Sequence, residues 1–562
     1  MENSLTGGQA IVEILKKEEI KHVFTVPGES FIPILDGLYD EKDITLISNR
    51  HEGGASFMAE AYAKASGQVA VVMATRGVGA ANLSIGIHTA KENSTPMVVL
   101  LGQVKSSFRG REGFQEVDLD LFLKDLCKWT VEINEVNRIP ELVQRAFRVA
   151  KCGRPGPVAV SLPEDILKQS AKLKIKNKSI CPKPRPSKNE VKEFFGLLRK
   201  AERPVIIAGA GINLSSAEKN LLLFAEKYQI PVMAAFRRHD VFPNNHVLYA
   251  GHLGMGTFDG IKETVKKADT IIAIGTRFSE TTTQGYSIIS DDQTMIHIDI
   301  EYSMLGKVYE PSLGIVADAD EALLALINEE NTNILQNKWE SWAIERRKIF
   351  EDVTYVENHK HEQSVDNKQI ISILQQYLPA NAILVNDAGN FAGWVQTFFK
   401  FNSPKSYIGA ASGAMGYAMP AAVGAKLAQP ERTVVSLSGD GGIMMTIQEL
   451  ETAVRYKVPI ISLIFNNNMH GSIRMFQEIA YPYREIGTSL GNPDFVELGS
   501  SFGVYSQRVS SDTEFEQAFI NALESNKTSL IEITCNPDQI SIHSTITGIR
   551  KKAVNKEKVE LS

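Results

Sequence analysis

The sequence is short of cysteine, of charge imbalance and of long apolar runs, and each shortage removes a class of protein. Four cysteines in 562 residues, Cys127, Cys152, Cys181 and Cys535, stand far apart without a CxxC pair. Buried thiols are therefore expected rather than disulfides or zinc ligands. Sixty Lys and Arg face 66 Asp and Glu, a formal net charge of −6. No basic block is interleaved with aromatics, which argues against nucleic acid as a partner. No apolar run approaches the roughly 20 residues of a membrane helix. The amino-terminal "MENSLTGGQAIVEILKKEE" also lacks a basic-then-apolar signal pattern, so a cytoplasmic protein with no membrane partner is expected. The length is too great for one hydrophobic core, and domains of about 100–200 residues each are expected.

What the chain does contain is alternation. The stretches "HVFTV", "ITLIS", "VAVVMAT" and "MVVLLG" alternate with helical patterns before residue 105, which predicts parallel sheets covered by helices. "LKQSAKLKIKNKSICPKPRPSKNE" reads as an exposed linker. A second block opens at "RPVIIAGAGINLSS", a polar helical stretch follows, and a third block opens at "NAILVNDAGN". The fold class is α/β, with three domains at 1–170, 188–340 and 365–545, each a mainly parallel sheet flanked by helices. The tail "IRKKAVNKEKVELS" is polar and charged and is expected to be loose.

The third block carries the strongest chemical signal. In "RTVVSLSGDGGIMMTIQELETAVRYKVPIISLIFNNN" a buried strand ends at "GDGG". A helix with Ile447, Leu450 and Val454 on one face follows, and a second buried strand ends at "NNN". A right-handed crossover makes the two strands parallel and puts Asp440 and Asn467 at one sheet edge, where open α/β sheets bind ligands. A carboxylate, an amide oxygen and a nearby backbone carbonyl, that of Met469, suit Mg2+ completed by phosphate oxygens. Gly439, Gly441 and Gly442 let the backbone approach that phosphate. Alone, "GDGG" reads equally well as a plain turn.

The 27-residue step from Asp440 to Asn467, with "GDG" at one end and "NN" at the other, resembles the signature of thiamine diphosphate (ThDP) enzymes. The resemblance implies a glutamate that activates the cofactor. "ITLISNRHEGGASFMAEAYAKASG" offers Glu52 where a strand ending near Ser48 meets a helix with Ala55, Met58, Ala61, Tyr62 and Ala65 on one face, ending at Gly67. It further implies Met415 of "SGAMGYAMP" as the apolar fulcrum that bends the cofactor, with Gly413 beside it. Gly389 and Asn390 of "NDAGN" would be a second diphosphate-side loop. Core filling is the alternative for Met415.

Over nearly the whole chain, "HVFTVPGES", "RHEGGASFMAEAYAKASG", "GREGFQEVD", "GRPGPVAVSLPED", "GAGI", "HLGMG" and "NPDF" resemble the acetolactate (acetohydroxyacid) synthase-like family. That resemblance implies a pyrimidine-binding, a central nucleotide/FAD-type and a diphosphate/Mg-binding domain. It also implies decarboxylation of pyruvate and ligation to a second 2-oxo acid, in a homodimer at least, with a homotetramer expected. The alternatives left open are a ThDP decarboxylase or lyase acting on other substrates, a flavin oxidoreductase and a non-catalytic nucleotide-binding subunit. Gly28, Phe114 and Gln115 would line the substrate site, Gln115 among the catalytic residues. Ser472 and Phe476 stand where the biosynthetic enzymes have Met and Trp, and Glu164 where they have Lys. Arg474 could face a substrate carboxylate or be structural. Arg154, Gly209, Gly211 and Gly254 match a flavin-binding pattern, with FAD, ADP, another nucleotide or an empty cleft as the alternatives.

Overall fold

The computed structural model describes residues 4–330, 335, 337–357 and 359–560. The first three residues of the amino-terminal stretch, positions 331–334, 336 and 358 of the second polar segment, and the last two of the tail lie outside the described residues.

Three six-stranded sheets follow one another along the chain, and every neighbouring pair of strands within them is parallel. The first runs, edge to edge, Thr45–Ser48, His22–Thr25, Ala70–Thr75, Met97–Gln103, Pro157–Pro163, Trp129–Glu132. The third runs Tyr407–Gly409, Ile383–Asn386, Val434–Gly439, Ile461–Asn466, Ser529–Thr534, Tyr505–Val509, repeating the same order by sequence position. The middle sheet is wound differently: Tyr249–His252, Val232–Ala234, Pro204–Ala208, Thr270–Ile274, Thr294–Asp299, Leu313–Val316. Strands such as Met97–Gln103 and Pro157–Pro163 are buried along their whole length, because helices cover both faces. In each sheet the chain reverses direction of winding beside its first strand, which leaves a crevice beyond the carboxyl ends.

The first and third units share one core. Helix Glu52–Ser66 lies on helix Ala418–Ala428 so closely that a Cβ on Gly424 would sit 2.0 Å from the Met58 carbonyl oxygen. The expected one-sided stripe on this helix is therefore too narrow. Ala55, Met58, Ala61, Tyr62 and Ala65 are buried, but so are Phe57, Ala59, Glu60 and Ala63, since the helix is enclosed on all sides. Gly67 ends it at φ +78° as expected.

Three other expectations are corrected. Cys152 and Cys181 form a disulfide, with Cα atoms 5.2 Å apart; the polar linker folds back to the end of helix Ile139–Lys151, a proximity that spacing could not reveal. Cys127 and Cys535 remain thiols, and burial pushes Cys127 up to about 12. The tail is helical over Ile546–Glu560: Ile546 and Ile549 pack beside Met469 and Met475, and Arg550 pairs with Glu478 at 2.6 Å. The helix expected after "GDGG" is broken into Asp440–Ile443 and Glu449–Arg455, joined by turns. The break rotates Val454 outward, 38% exposed, and Ala453 inward. Among the described residues no helix is long and apolar enough to cross a membrane.

Candidate active site

Strands Val434–Gly439 and Ile461–Asn466 pair directly, Gly439 opposite Phe465, so Asp440 and Asn467 leave adjacent carboxyl ends. Asp440 is 2% exposed. Burial raises its carboxyl pKa, opposed by hydrogen bonds from Asn492 and from backbone N–H groups. Asn467 Oδ1 accepts from the Met469 N–H at 3.3 Å, so the Asn467 amide oxygen and the Met469 carbonyl belong to one turn at the strand end beside the one that carries Asp440. This set of hard oxygens fits Mg2+. Asn492 carries no obvious chemical pattern in the sequence beyond opening "NPDF". Its Nδ2 lies 2.8 Å from Asp440 Oδ2 and 3.1 Å from both Asn466 Oδ1 and Asn468 Oδ1. Gly441 and Gly442 are tightly enclosed: a Cβ would sit 2.8 Å from the His470 ring and 3.0 Å from Asp387 Oδ2 respectively.

Asp387, inside "NDAGN" but not singled out from the sequence, organises that loop. Its buried carboxyl is pushed up to about 6 by desolvation. It accepts from the N–H groups of Ala388 (2.7 Å) and Tyr417 (3.3 Å) and from Ser438 Oγ (3.3 Å). The Tyr417 bond ties down the turn carrying Met415. Met415 is half-buried on that turn, ahead of helix Ala418–Ala428, so helical core filling does not describe it. Gly413, at φ +71°, faces open space. Beside exposed Gly389, Asn390 accepts from Ser472 Oγ at 2.7 Å and donates to the Ile540 carbonyl at 2.7 Å.

At the first sheet, Glu52 is the first residue of its helix, capped by His51, whose Nδ1 accepts from the Gly53 N–H at 2.9 Å. Glu52 is half-buried, and its Oε2 accepts from Asn82 Nδ2 at 2.9 Å. A carboxylate is favoured at this position by the helix dipole. Gly28 closes on the next strand end, where its Cβ would lie 2.5 Å from Thr75 Cβ. Arg76, at φ +45°, donates to the Phe114 carbonyl at 3.3 Å, and Gly77 N–H donates to that of Gln115 at 3.2 Å. Phe114 is 72% exposed, while Gln115 Oε1 is buried without a hydrogen-bond partner. Glu164 lies 3.9 Å from Arg76.

The Arg474 guanidinium pairs with buried Glu478 at 2.9 Å and with Glu485 at 3.2 Å. Phe476, on the same helix Gly471–Ala480, is exposed.

A separate cleft of about 330 Å3 opens at the switch point of the middle sheet. Arg154, Gly209 and Gly211 line it, as do Arg238, Arg277, Asp299 and Asp318. Gly254 does not; its N–H is held by Thr257 in a turn under Phe236. Arg154 donates to Ser94 Oγ at 2.9 Å, and burial with Arg277 nearby lowers it to about 10. The chain packs so tightly here that a Cβ on Gly209 would meet the Gly275 carbonyl oxygen at 2.3 Å.

Comparison with known proteins agrees with this geometry. Residues 5–121 match the thiamine pyrophosphate enzyme N-terminal TPP binding domain, 191–326 the central domain and 387–533 the C-terminal TPP binding domain. The chain is 34% identical over 549 residues to the probable acetolactate synthase large subunit of Methanocaldococcus jannaschii, covering 95% of this chain and 92% of that protein. It is 32% identical to the acetolactate synthase isozyme 3 large subunit of Escherichia coli, covering 94% and 95%. Against the acetolactate synthase large subunit of Lactococcus lactis the identity is 32%, covering 90% and 88%. Three sheets in this order, with their carboxyl edges so furnished, make the chain a ThDP-dependent enzyme belonging to the acetolactate (acetohydroxyacid) synthase-like family.

Proposed function

We propose that the enzyme decarboxylates pyruvate and joins the retained two-carbon unit to a second 2-oxo acid, giving a 2-acetolactate-type product. The reading rests on one observation: Glu52 and the Asp440, Asn467 and Met469 oxygen set occur in one chain that aligns nearly end to end with relatives named acetolactate synthase large subunits. When bound, ThDP supplies a thiazolium carbon that adds to the 2-oxo carbonyl and takes up the electron pair released with CO2. Asp440, Asn467 and the Met469 carbonyl would hold Mg2+ and with it the diphosphate, with Gly389, Asn390, Gly413, Gly439, Gly441 and Gly442 lining that end of the site. Met415 would be the apolar support for the cofactor. Glu52 accepts from Asn82 on Oε2 and has no other side-chain hydrogen bond among the described residues, so its Oε1 would be the oxygen that exchanges a proton with the aminopyrimidine. Gly28, Phe114, Gln115, Ser472 and Phe476 wall the substrate.

Purified protein given ThDP, Mg2+ and pyruvate should form 2-acetolactate, identified by mass and chiral detection, and Glu52→Gln should slow its formation by about 10²–10⁴-fold. Pyruvate left unconsumed would overturn the substrate assignment. Glu164 beside Arg76, where the family has lysine, favours a second reading in which another 2-oxo acid is used. A panel of 2-oxo acids separates the two.

The middle cleft is assigned to FAD: three arginines suit a diphosphate, and Asp299 and Asp318 suit ribose hydroxyls. Flavin absorbance after acid release tests it; released ADP or no nucleotide would reject it. Exposed Phe114, Leu121, Met445, Ile473 and Phe476 near the site residues support a homodimer pairing into a homotetramer, tested by light scattering. The substrates are small 2-oxo acids and the compartment the cytoplasm.

A further inference from the structure

Glu449 lies in the third unit yet contacts the segment that delivers Glu52 from the first. It opens helix Glu449–Arg455 and is completely buried. Its Oε1 accepts from the backbone N–H groups of Arg50 and His51, each at 3.1 Å. Its Oε2 accepts from Asn49 Nδ2 at 3.1 Å and from Thr452 Oγ1 at 2.6 Å. Further along, Tyr456 Oη accepts from the Ser48 N–H at 2.8 Å and donates to the Leu46 carbonyl at 3.0 Å, while Arg455 donates to the Ser48 carbonyl. The backbone from Leu46 to His51 is thus clamped from one side. The clamp belongs to the stretch that begins at Asp440.

We infer that Glu449 is a positioning residue: its carboxylate fixes the Asn49–His51 turn and thereby the placement of Glu52 toward the cofactor. The inference rests on the reading of Glu52 as the activator. The chemistry asks for an anion. All four neighbours act as donors, so a carboxylate satisfies them with two oxygens, whereas an amide of the same shape must turn an NH2 against donor groups. A buried carboxylate carries a desolvation cost that a merely space-filling position would not retain. The contact leaves no slack on the near side: a Cβ on Gly54 would sit 2.4 Å from Glu449 Oε1.

The test compares Glu449→Gln, Glu52→Gln and the double variant. In the ThDP- and Mg2+-loaded protein, deuterium exchange at the cofactor's C2 position is followed by NMR, alongside ThDP affinity. In the cofactor-free protein, amide exchange over residues 49–53 is followed by mass spectrometry. Glu449→Gln should slow C2 exchange by about tenfold or more with ThDP affinity nearly unchanged, speed amide exchange at Arg50 and His51, and add nothing in the Glu52→Gln background. Additive losses, or C2 exchange at the parent rate in Glu449→Gln while Glu52→Gln is slow, would overturn the role of Glu449 alone. Parent-rate exchange in Glu52→Gln would overturn the activator reading and the inference with it. Should Glu449→Gln fail to fold, Glu449→Asp, which keeps the charge but withdraws it by one methylene, carries the same test: a partial loss supports the role and the parent rate overturns it.

Discussion

Glu52 and Asp440 share a local setting at strands of different rank: Glu52 follows the edge strand Thr45–Ser48, Asp440 the inner strand Val434–Gly439. Each follows a parallel strand of a sheet with the same strand order, each is the first residue of a helix, and each has an asparagine on one carboxylate oxygen, Asn82 and Asn492 respectively. Their surroundings differ. Glu52 is half-exposed and has a single side-chain partner among the described residues, whereas Asp440 is buried and is held from several directions. A carboxylate open on one side can exchange a proton with a ligand. One enclosed among amides and other oxygens is suited to a fixed cation, which repays its desolvation. The same local setting thus yields an open carboxylate at one edge and an enclosed one at the other, the contrast on which the proposed roles of proton handling and cation binding rest.

Substitution should separate the two roles. Glu52→Gln is expected to lower kcat by about 10²–10⁴-fold while ThDP affinity stays within a few-fold, read by steady-state kinetics and cofactor titration. A large loss of affinity instead would erase the distinction. Asp440→Ala should show the reverse pattern: ThDP binding is lost at ordinary Mg2+ concentrations, and a chelator added to the parent protein should mimic it. If Asp440→Ala bound ThDP normally without Mg2+, the cation role would be wrong.

Sequence resolved these two edges unevenly. Asp440 and Asn467 were legible because strand, helix and strand lie consecutively, and parallel pairing converts a 27-residue spacing into adjacency. Gly28, Phe114 and Gln115 were singled out only through family resemblance, because their contacts with Thr75, Arg76 and Gly77 join loops from separate strand ends. Asn492, Asn82 and Asp387 act mainly through long-range hydrogen bonds, so even inside the stretches "NPDF" and "NDAGN" nothing local marks the roles of Asn492 and Asp387. The Cys152–Cys181 bridge was missed for the same reason: an irregular linker has no periodicity from which to infer its return path. The break between Ile443 and Glu449 was hidden because the apolar spacing of a straight helix persists across it.

The paired asparagines sharpen the comparison at a smaller scale. Asn492→Ala leaves one oxygen of a buried carboxylate and the Asn466 and Asn468 side-chain oxygens short of a donor. It should cost about 1–3 kcal/mol of stability, seen as a lower midpoint in thermal or urea unfolding, and should weaken Mg2+ binding by misplacing Asp440.

Asn82→Ala should have the smallest effect, because water can reach Glu52 and replace the lost amide. About 0.5 kcal/mol or less is expected in the same unfolding measurement. Its consequence should be kinetic instead, since Glu52 would lose its one orienting side-chain partner: kcat falls while the affinity for ThDP holds. Equal stability losses for Asn82→Ala and Asn492→Ala would mean that the two carboxylates are equally enclosed. The contrast between an open, proton-handling edge and a closed, cation-binding edge would then have to be abandoned.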